Sequence, residues 1–237
     1  MRDIFIGDAH LASPDRENYR RLLDFLEGLR GQVRTLYLLG DIFEFWVGYR
    51  SVVFAPYVPL LEALRRLRQG GAELVYVEGN HDFKLGPFFS DDLGCRILPD
   101  GGVVEIDGRN VLLAHGDLIN PADRGYRVLR RVLRSRPAHW LMAALPPDLT
   151  WAVAHLSSRQ SKKTHARKKL RWDTRQLLRD HAARHFAAGC QAVVTGHFHQ
   201  PLLEKSEAGT LLALGDWIEQ FSYGVYEAGE FRLERFE

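Results

Sequence analysis

Thiols, long apolar runs and repeats are scarce in this chain, and each shortage removes a class of function. Among 237 residues there are only two cysteines, Cys95 and Cys190. Their separation fits neither a paired-cysteine metal site nor a disulfide framework. No uninterrupted apolar stretch reaches the ~18–20 residues that a membrane-spanning helix needs. Asp3 and Asp8 interrupt the first apolar run, so the N-terminus does not read as a secretory signal. No internal repeat or low-complexity tract is present, which excludes a solenoid and a disordered tail. Cytoplasmic residence is the expectation.

What is there suits a globular enzyme. Apolar residues make up 46% and charged residues 26% of a chain long enough for one domain over 1–237. The net charge of +2 hides an asymmetry: residues 120–172 hold thirteen Lys or Arg against two Asp, giving +11, and the rest of the chain carries −9. That segment is also the least strand-like, so it reads as an inserted helical lid. Arg127, Arg130, Arg131 and Arg134 recur at three- and four-residue steps and form one cationic face, with Val128, Leu129, Val132 and Leu133 largely away from it. Trp140–Leu145 and Leu149–Leu156 follow as apolar stretches. A basic amphipathic helix beside Trp- and Leu-rich segments reads as an element lying in a membrane interface. Anionic headgroups there contribute about 1 kcal/mol for each Lys or Arg near the surface. A nucleic-acid surface is disfavoured, because Trp140 and Trp151 sit in apolar runs and do not interleave with the basic residues as stacking platforms would. Oligomeric state is not readable.

Elsewhere short runs rich in Val, Ile, Leu and Tyr alternate with helical stretches. Arg16–Leu29, Tyr57–Arg68 and Thr174–Ala188 repeat apolar residues with helical period. Thr210–Leu214, Tyr223–Glu227 and Phe231–Arg235 are β-type segments separated by turn residues. Strand–helix alternation followed by a β-rich tail predicts a mixed α/β sandwich.

Five of the apolar runs end alike. Asp3–Gly7 leads to Asp8-Ala9-His10, Thr35–Leu39 to Gly40-Asp41, and Leu74–Val77 to Gly79-Asn80-His81-Asp82. Val111–Ala114 leads to His115-Gly116-Asp117, and Ala192–Thr195 to Gly196-His197-Phe198-His199. Open α/β sheets place their binding crevice at the carboxyl ends of strands. One Gly-Asp is usually a turn, and one His-x-His is usually a surface pair. Five such ends collect seven metal ligands: Asp8, His10, Asp41, Asn80, His115, His197 and His199. Asp8 and His10 alternate by two, as do His197 and His199, so on an extended chain each pair points to one face. Asp41 is the natural bridge between two ions about 3.5–4 Å apart. Carboxylate, amide and imidazole donors without thiolate suit Mn²⁺, Fe or Zn²⁺.

This ordered series resembles the calcineurin-like metallophosphoesterase superfamily from Met1 to about Trp217. The resemblance implies a four-layer αββα sandwich with a di-metal centre at the strand ends. One ion would take Asp8, His10, Asp41 and His199, and the other Asp41, Asn80, His115 and His197. Further stretches resemble the UDP-2,3-diacylglucosamine pyrophosphatases of lipid A synthesis: Gly40-Asp41-Ile42-Phe43-Glu44-Phe45-Trp46-Val47-Gly48, Asp82-Phe83-Lys84-Leu85-Gly86, His115-Gly116-Asp117 through Asp123-x-Gly125-Tyr126, Ser161-Lys162 and Leu214-Gly215-x-Trp217. One position departs from that subfamily, which commonly has Arg after the Gly-Asn where this chain has His81.

The resemblance implies hydrolysis of a nucleotide-linked glycolipid to UMP and diacylglucosamine 1-phosphate, by attack of a metal-activated water on phosphorus. Mn²⁺ is the leading ion, with Fe or Zn²⁺ as alternatives. His81 is the expected catalytic group, neutralising charge on the phosphate and donating to the departing oxygen, with Asp82 orienting it. Asn80 and His197 would also touch substrate, and Asp123, Ser161 and Lys168 fall where lid or substrate contacts would lie. The enzyme would then sit peripherally on the inner face of the cell membrane. A phosphoesterase acting on nucleotides, cyclic nucleotides or phosphoprotein is the alternative.

Overall fold

The structure, a computed structural model, describes residues 1–152 and 172–237. Its strands are β1 (Arg2–Ile6), β2 (Val33–Leu38), β3 (Glu73–Val77), β4 (Arg96–Leu98), β5 (Gly102–Ile106), β6 (Arg109–Ala114), β7 (Ala192–Thr195), β8 (Pro201–Ser206), β9 (Gly209–Leu214), β10 (Ser222–Glu227) and β11 (Glu230–Arg235). They form a six-stranded sheet in the order β11-β10-β1-β2-β3-β4 and a five-stranded sheet in the order β5-β6-β7-β9-β8. β1 to β4 run parallel in the first sheet, and β6, β7 and β9 run parallel in the second. The helices are α1 (Glu17–Gly28), α2 (Val58–Gln69), α3 (Arg124–Leu133), α4 (Arg136–Ala144) and α5 (Thr174–Ala187). Residues 147–152 are also helical.

Side-chain alternation along the strands sorts the apolar residues into three clusters, and these define four layers. Ile4, Ile6, Leu36, Leu38, Leu74 and Tyr76 point outward from the first sheet onto Leu22, Phe25 and Leu26 of α1 and Leu60, Leu64 and Leu67 of α2. Their strand neighbours Phe5, Tyr37, Leu39, Val75 and Val77 point the other way, onto Val111, Leu113, Val194, Leu212 and Leu214 of the second sheet. Leu112, Val193, Leu211 and Ala213 then face Leu178 and Ala182 of α5. The period of two is what divides each strand between two cores. The chain is thus an αββα sandwich. Both sheets are buried on each face, which explains the near-continuous apolar runs of the parallel strands.

The three helices whose period is legible in the sequence are α1, α2 and α5, each within two residues of the expected bounds. β4, β5 and β8 carry no comparable signal. α3 and α4 occupy the first half of the basic segment, where an inserted helical element is expected.

Candidate metal centre

β1, β2, β3, β6 and β7 deliver their C-terminal loops to one place. The chain does not stay extended there. Asp8, His10, Asp41, His197 and His199 have φ of 54°, 45°, 54°, 71° and 53°, all in the left-handed region. The expectation that each x-spaced pair shares a face because the strand continues is therefore corrected. The strands end first, and left-handed turns aim the side chains. Such backbone costs of order 1–3 kcal/mol per residue and persists only where neighbours enforce it. Here the loops enforce one another: the Asp8 amide donates to the Gly40 carbonyl at 3.0 Å, the His10 amide to Asp41 O at 2.9 Å, and the Gly196 amide to His115 O at 2.9 Å.

The glycines ahead of the ligands answer to the same packing. A Cβ on Gly79 would lie 2.2 Å from Asp41 Oδ1, and one on Gly40, itself at φ 82°, would lie 2.7 Å from both Gly79 Cα and His115 Nδ1. Only glycine lets these two ligand loops touch.

The donor atoms converge. Asp41 Oδ1 accepts the amides of Asn80 at 2.8 Å and His81 at 2.9 Å. Its Oδ2 is left 3.6 Å from His10 Nε2 and 3.5 Å from His115 Nε2, between two clusters. In one cluster, ligand atoms of Asp8, His10 and His199 lie within 4.8 Å of one another; in the other, those of Asp41, His115 and His197 do. Asn80 Oδ1 is 3.1 Å and His197 Nδ1 3.2 Å from His115 Nε2. All seven residues expected as ligands are thus gathered. His81 joins them, within the same distance of His10 and Asp41. Asp8 is fully buried: its Oδ2 accepts the His197 amide at 2.7 Å, while Oδ1 has no hydrogen-bond donor and lies 3.5 Å from His199 Nε2. A buried carboxylate oxygen without a donor is costly unless a cation meets it. Oxygen and imidazole donors without thiolate suit hard or borderline divalent ions, and the residues present fit them.

Without such ions the site holds protons. Burial pushes the Asp8 carboxyl up to about 6. Burial also works to raise Asp41, but the imidazoles of His115, His81 and His10 outweigh it and hold the carboxyl well below the usual range. For His115 burial favours the neutral ring, yet Asp41 and Asp8 lift it to about 10. Metal uptake must displace these protons.

Several supporting residues were not singled out from the sequence. His81 Nδ1 is 2.8 Å from the Glu44 carbonyl oxygen, and Glu44 Oε2 is 3.9 Å from His10 Nδ1. Asp216 Oδ2 lies 3.6 Å from His199 Nδ1 and is fixed by the amides of Ile218, Glu219 and Gln220 on its other oxygen. Both stand inside stretches already marked by the family likeness, at the unassigned positions of Gly40–Gly48 and Leu214-Gly215-x-Trp217. Asp82 does something other than orient His81. Its buried carboxylate accepts the amides of Asp41, Ile42 and Gly79 and the Tyr76 hydroxyl, tying the Asp41 loop to the Asn80 loop. The Glu44 carbonyl sets the His81 ring instead.

Around the lid the outcome is mixed. Asp123 caps α3, accepting the Tyr126 amide at 3.3 Å. Ser161 and Lys168 lie outside the described residues. The cationic face of α3 turns toward the body. Arg130 meets Asp117 at 2.7 Å and Asp100 at 2.8 Å, and Arg134 meets Glu78 at 3.0 Å. Asp117 and Glu78 are buried strand-end carboxylates and need counter-cations. These two arginines are therefore not available to lipid headgroups, contrary to the expectation for the whole face. Val128, Leu129 and Val132 point outward, exposed by 61%, 53% and 56%.

Comparison with known proteins agrees with this geometry. Residues 1–201 match the model of the calcineurin-like phosphoesterase family. UDP-2,3-diacylglucosamine hydrolase of Aeromonas salmonicida is 35% identical, over 99% of this chain and 93% of the relative. The enzyme of the same name from Pseudomonas putida strain F1 is 33% identical over 99% and 98%. Among solved structures, an archaeal phosphodiesterase superposes with a TM-score of 0.51 at 14% identity, covering 99% of both chains. A Vps29 double mutant from Entamoeba histolytica superposes with a TM-score of 0.50 at 15% identity, covering 100% of this chain and 98% of that one. These two speak for the fold alone. With its family model matched over residues 1–201 and relatives aligned along its whole length, the chain belongs to the calcineurin-like phosphoesterases.

Proposed function

We propose that this chain hydrolyses the pyrophosphate of UDP-2,3-diacylglucosamine to UMP and 2,3-diacylglucosamine 1-phosphate. The observation that carries this reading is the full-length likeness to enzymes bearing the name UDP-2,3-diacylglucosamine hydrolase, at 33–35% identity. It extends through the basic segment, where a generic phosphoesterase would need no apolar lid.

Asp8, His10, Asp41 and His199 would hold one divalent ion, and Asp41, Asn80, His115 and His197 the other, with Mn²⁺ the leading candidate. Bound there, the ions supply Lewis acidity toward the phosphate oxygens and lower the pKa of the attacking water. The residues of the chain position and neutralise. Asp41 fixes the spacing of the two ligand clusters. Asn80 and His197 orient the phosphate. His81, anchored through Nδ1, presents Nε2 to charge developing on the phosphate and to the departing oxygen.

Asp123, Ser161 and Lys168 are the lid's substrate contacts. The exposed Val128, Leu129, Trp140 and Leu141 support a lid that meets acyl chains and the membrane surface. No helix among the described residues is long and apolar enough to cross a membrane. The enzyme is peripheral, on the cytoplasmic face.

The test is an Mn²⁺-supplemented assay of the purified chain against UDP-2,3-diacylglucosamine, with bis(p-nitrophenyl) phosphate alongside. UMP release from the first substrate is the expected result. Cleavage of the second alone would replace this reading with a phosphoesterase for smaller esters.

A further inference from the structure

A cavity of about 660 Å³ lies between α3 and the loops that follow β3, β4 and β6. Its charge is one-sided. Among the described residues, Lys84, Arg127, Arg130, Arg131 and Arg134 line it against two acids, Glu78 and Asp100. Arg130 and Arg134 are already matched to those acids and to Asp117. Lys84, Arg127 and Arg131 have no carboxylate partner among the described residues, and Arg127 reaches only the Leu118 carbonyl, at 3.2 Å. Three uncompensated cations around one concavity repel one another and attract an anion.

The position matters as much as the charge. Glu78 and Leu118, on the cavity wall, stand two residues before Asn80 and three after His115. Arg134, also on the wall, donates to the Gly79 carbonyl at 2.9 Å. The cavity therefore abuts the two loops that bring Asn80 and His115 to the centre. A pyrophosphate cleaved there has two unlike halves. The acylated half needs apolar surface, which the outward face of the lid supplies. The other half is a nucleoside phosphate: compact, anionic and bearing a flat base. A volume of about 300–1,000 Å³ with a few convergent charges suits such a ligand, and Pro99 and Leu118 offer apolar wall for the base.

We propose that this cavity seats the nucleoside monophosphate half of the substrate, with Lys84, Arg127 and Arg131 as its phosphate-facing cations. The proposal rests on the substrate reading above and adds to it the place and the specificity residues for the nucleotide. Lys84 falls in the Asp82–Gly86 stretch but has no part in the metal centre.

The experiment uses the full-length, Mn²⁺-loaded chain and its Lys84→Gln/Arg131→Gln variant; both side chains reach solvent, and melting temperatures confirm folding. UMP is assayed as an inhibitor of bis(p-nitrophenyl) phosphate hydrolysis. The expected result is a UMP inhibition constant about tenfold or more higher in the variant, as loss of charge-assisted phosphate contacts implies. Binding to phosphatidylglycerol vesicles stays unchanged. KM for UDP-2,3-diacylglucosamine rises with the UMP constant. An unchanged UMP constant overturns the proposal, and so does a loss confined to vesicle binding, which would assign these cations to lipid headgroups. If the parent does not cleave UDP-2,3-diacylglucosamine, the substrate reading fails, while the UMP measurement still decides the cavity.

Discussion

Arg134, the C-cap of α3, donates to the carbonyl oxygen of Gly79 at 2.9 Å and meets Glu78 Oε2 at 3.0 Å. A lid helix thereby holds the backbone one residue before Asn80. Removing the guanidinium leaves Glu78, only 5% exposed, without its cation. Breaking one partner of a buried pair costs about 3–5 kcal/mol. Arg134→Ala is expected to lower the melting temperature and weaken metal uptake, and Arg134→Lys to restore it only in part because an ammonium cannot fork between two acceptors. Calorimetry across a metal titration checks both; an unshifted transition would detach the helix from the centre.

Asp41→Ala removes the carboxylate that lies between the two clusters. Bound metal and turnover should disappear together, by elemental analysis and by assay of the same sample. A variant retaining parental activity would overturn the bridging role proposed for Asp41.

His81 and Asp82, adjacent in sequence, should separate cleanly by experiment. His81→Ala is expected to lose rate by about 10²-fold or more with metal content and melting temperature preserved, in the range proton-transfer groups contribute. Asp82→Asn should instead act on stability. Each bond to a charged acceptor is worth about 1.5–3 kcal/mol, and this buried carboxylate accepts from five groups, four amides on two loops and the Tyr76 hydroxyl on β3. A drop of several degrees in melting temperature is the expected sign, and Tyr76→Phe should give a smaller drop of the same kind.

Trp140 and Leu141 are exposed by 74% and 58%. Replacing both with alanine should change folding stability by no more than about 0.5 kcal/mol, as at other exposed sites, while raising KM for the acylated substrate and sparing bis(p-nitrophenyl) phosphate. Equal effects on both substrates would argue against an acyl-binding lid.

His181 on α5 supplies a pH signature away from the metals. Burial, then the neighbouring His185 and Arg184, push its imidazole down to about 4. In the unfolded chain an imidazole titrates near 6.5. Between those values the unfolded chain binds a proton that the folded chain does not, so stability falls as pH drops through that window and levels off below it. His181→Gln should flatten the dependence of melting temperature on pH between about 6.5 and 4 relative to the parent, and identical slopes would show that the ring takes no part.

Much of this candidate centre was legible because each expected ligand loop follows a buried parallel strand, and in four of the five a polar residue stands directly after Gly, where the apolar run breaks off. The left-handed backbone at Asp8 and His199 was not, because it depends on amides and carbonyls of loops distant in the chain. Three of the four edge strands, β4, β5 and β8, were the other blind spot. β5 and β8 border the second sheet and keep exposed residues along much of their length, so their apolar signal is diluted. For α3 the sequence tells which residues share a face and not which way it turns. That choice was made by Asp117 and Glu78, whose burial is a property of the assembled sheets.

Asp8 receives the His197 amide across 189 positions of sequence, and β1 is paired on one side by β10, close to the carboxyl terminus. During translation, Asp8 must wait for the chain to reach His197 and His199 before meeting the amide and imidazoles of that loop. A product terminated before His197 is left with half-sites that cannot close.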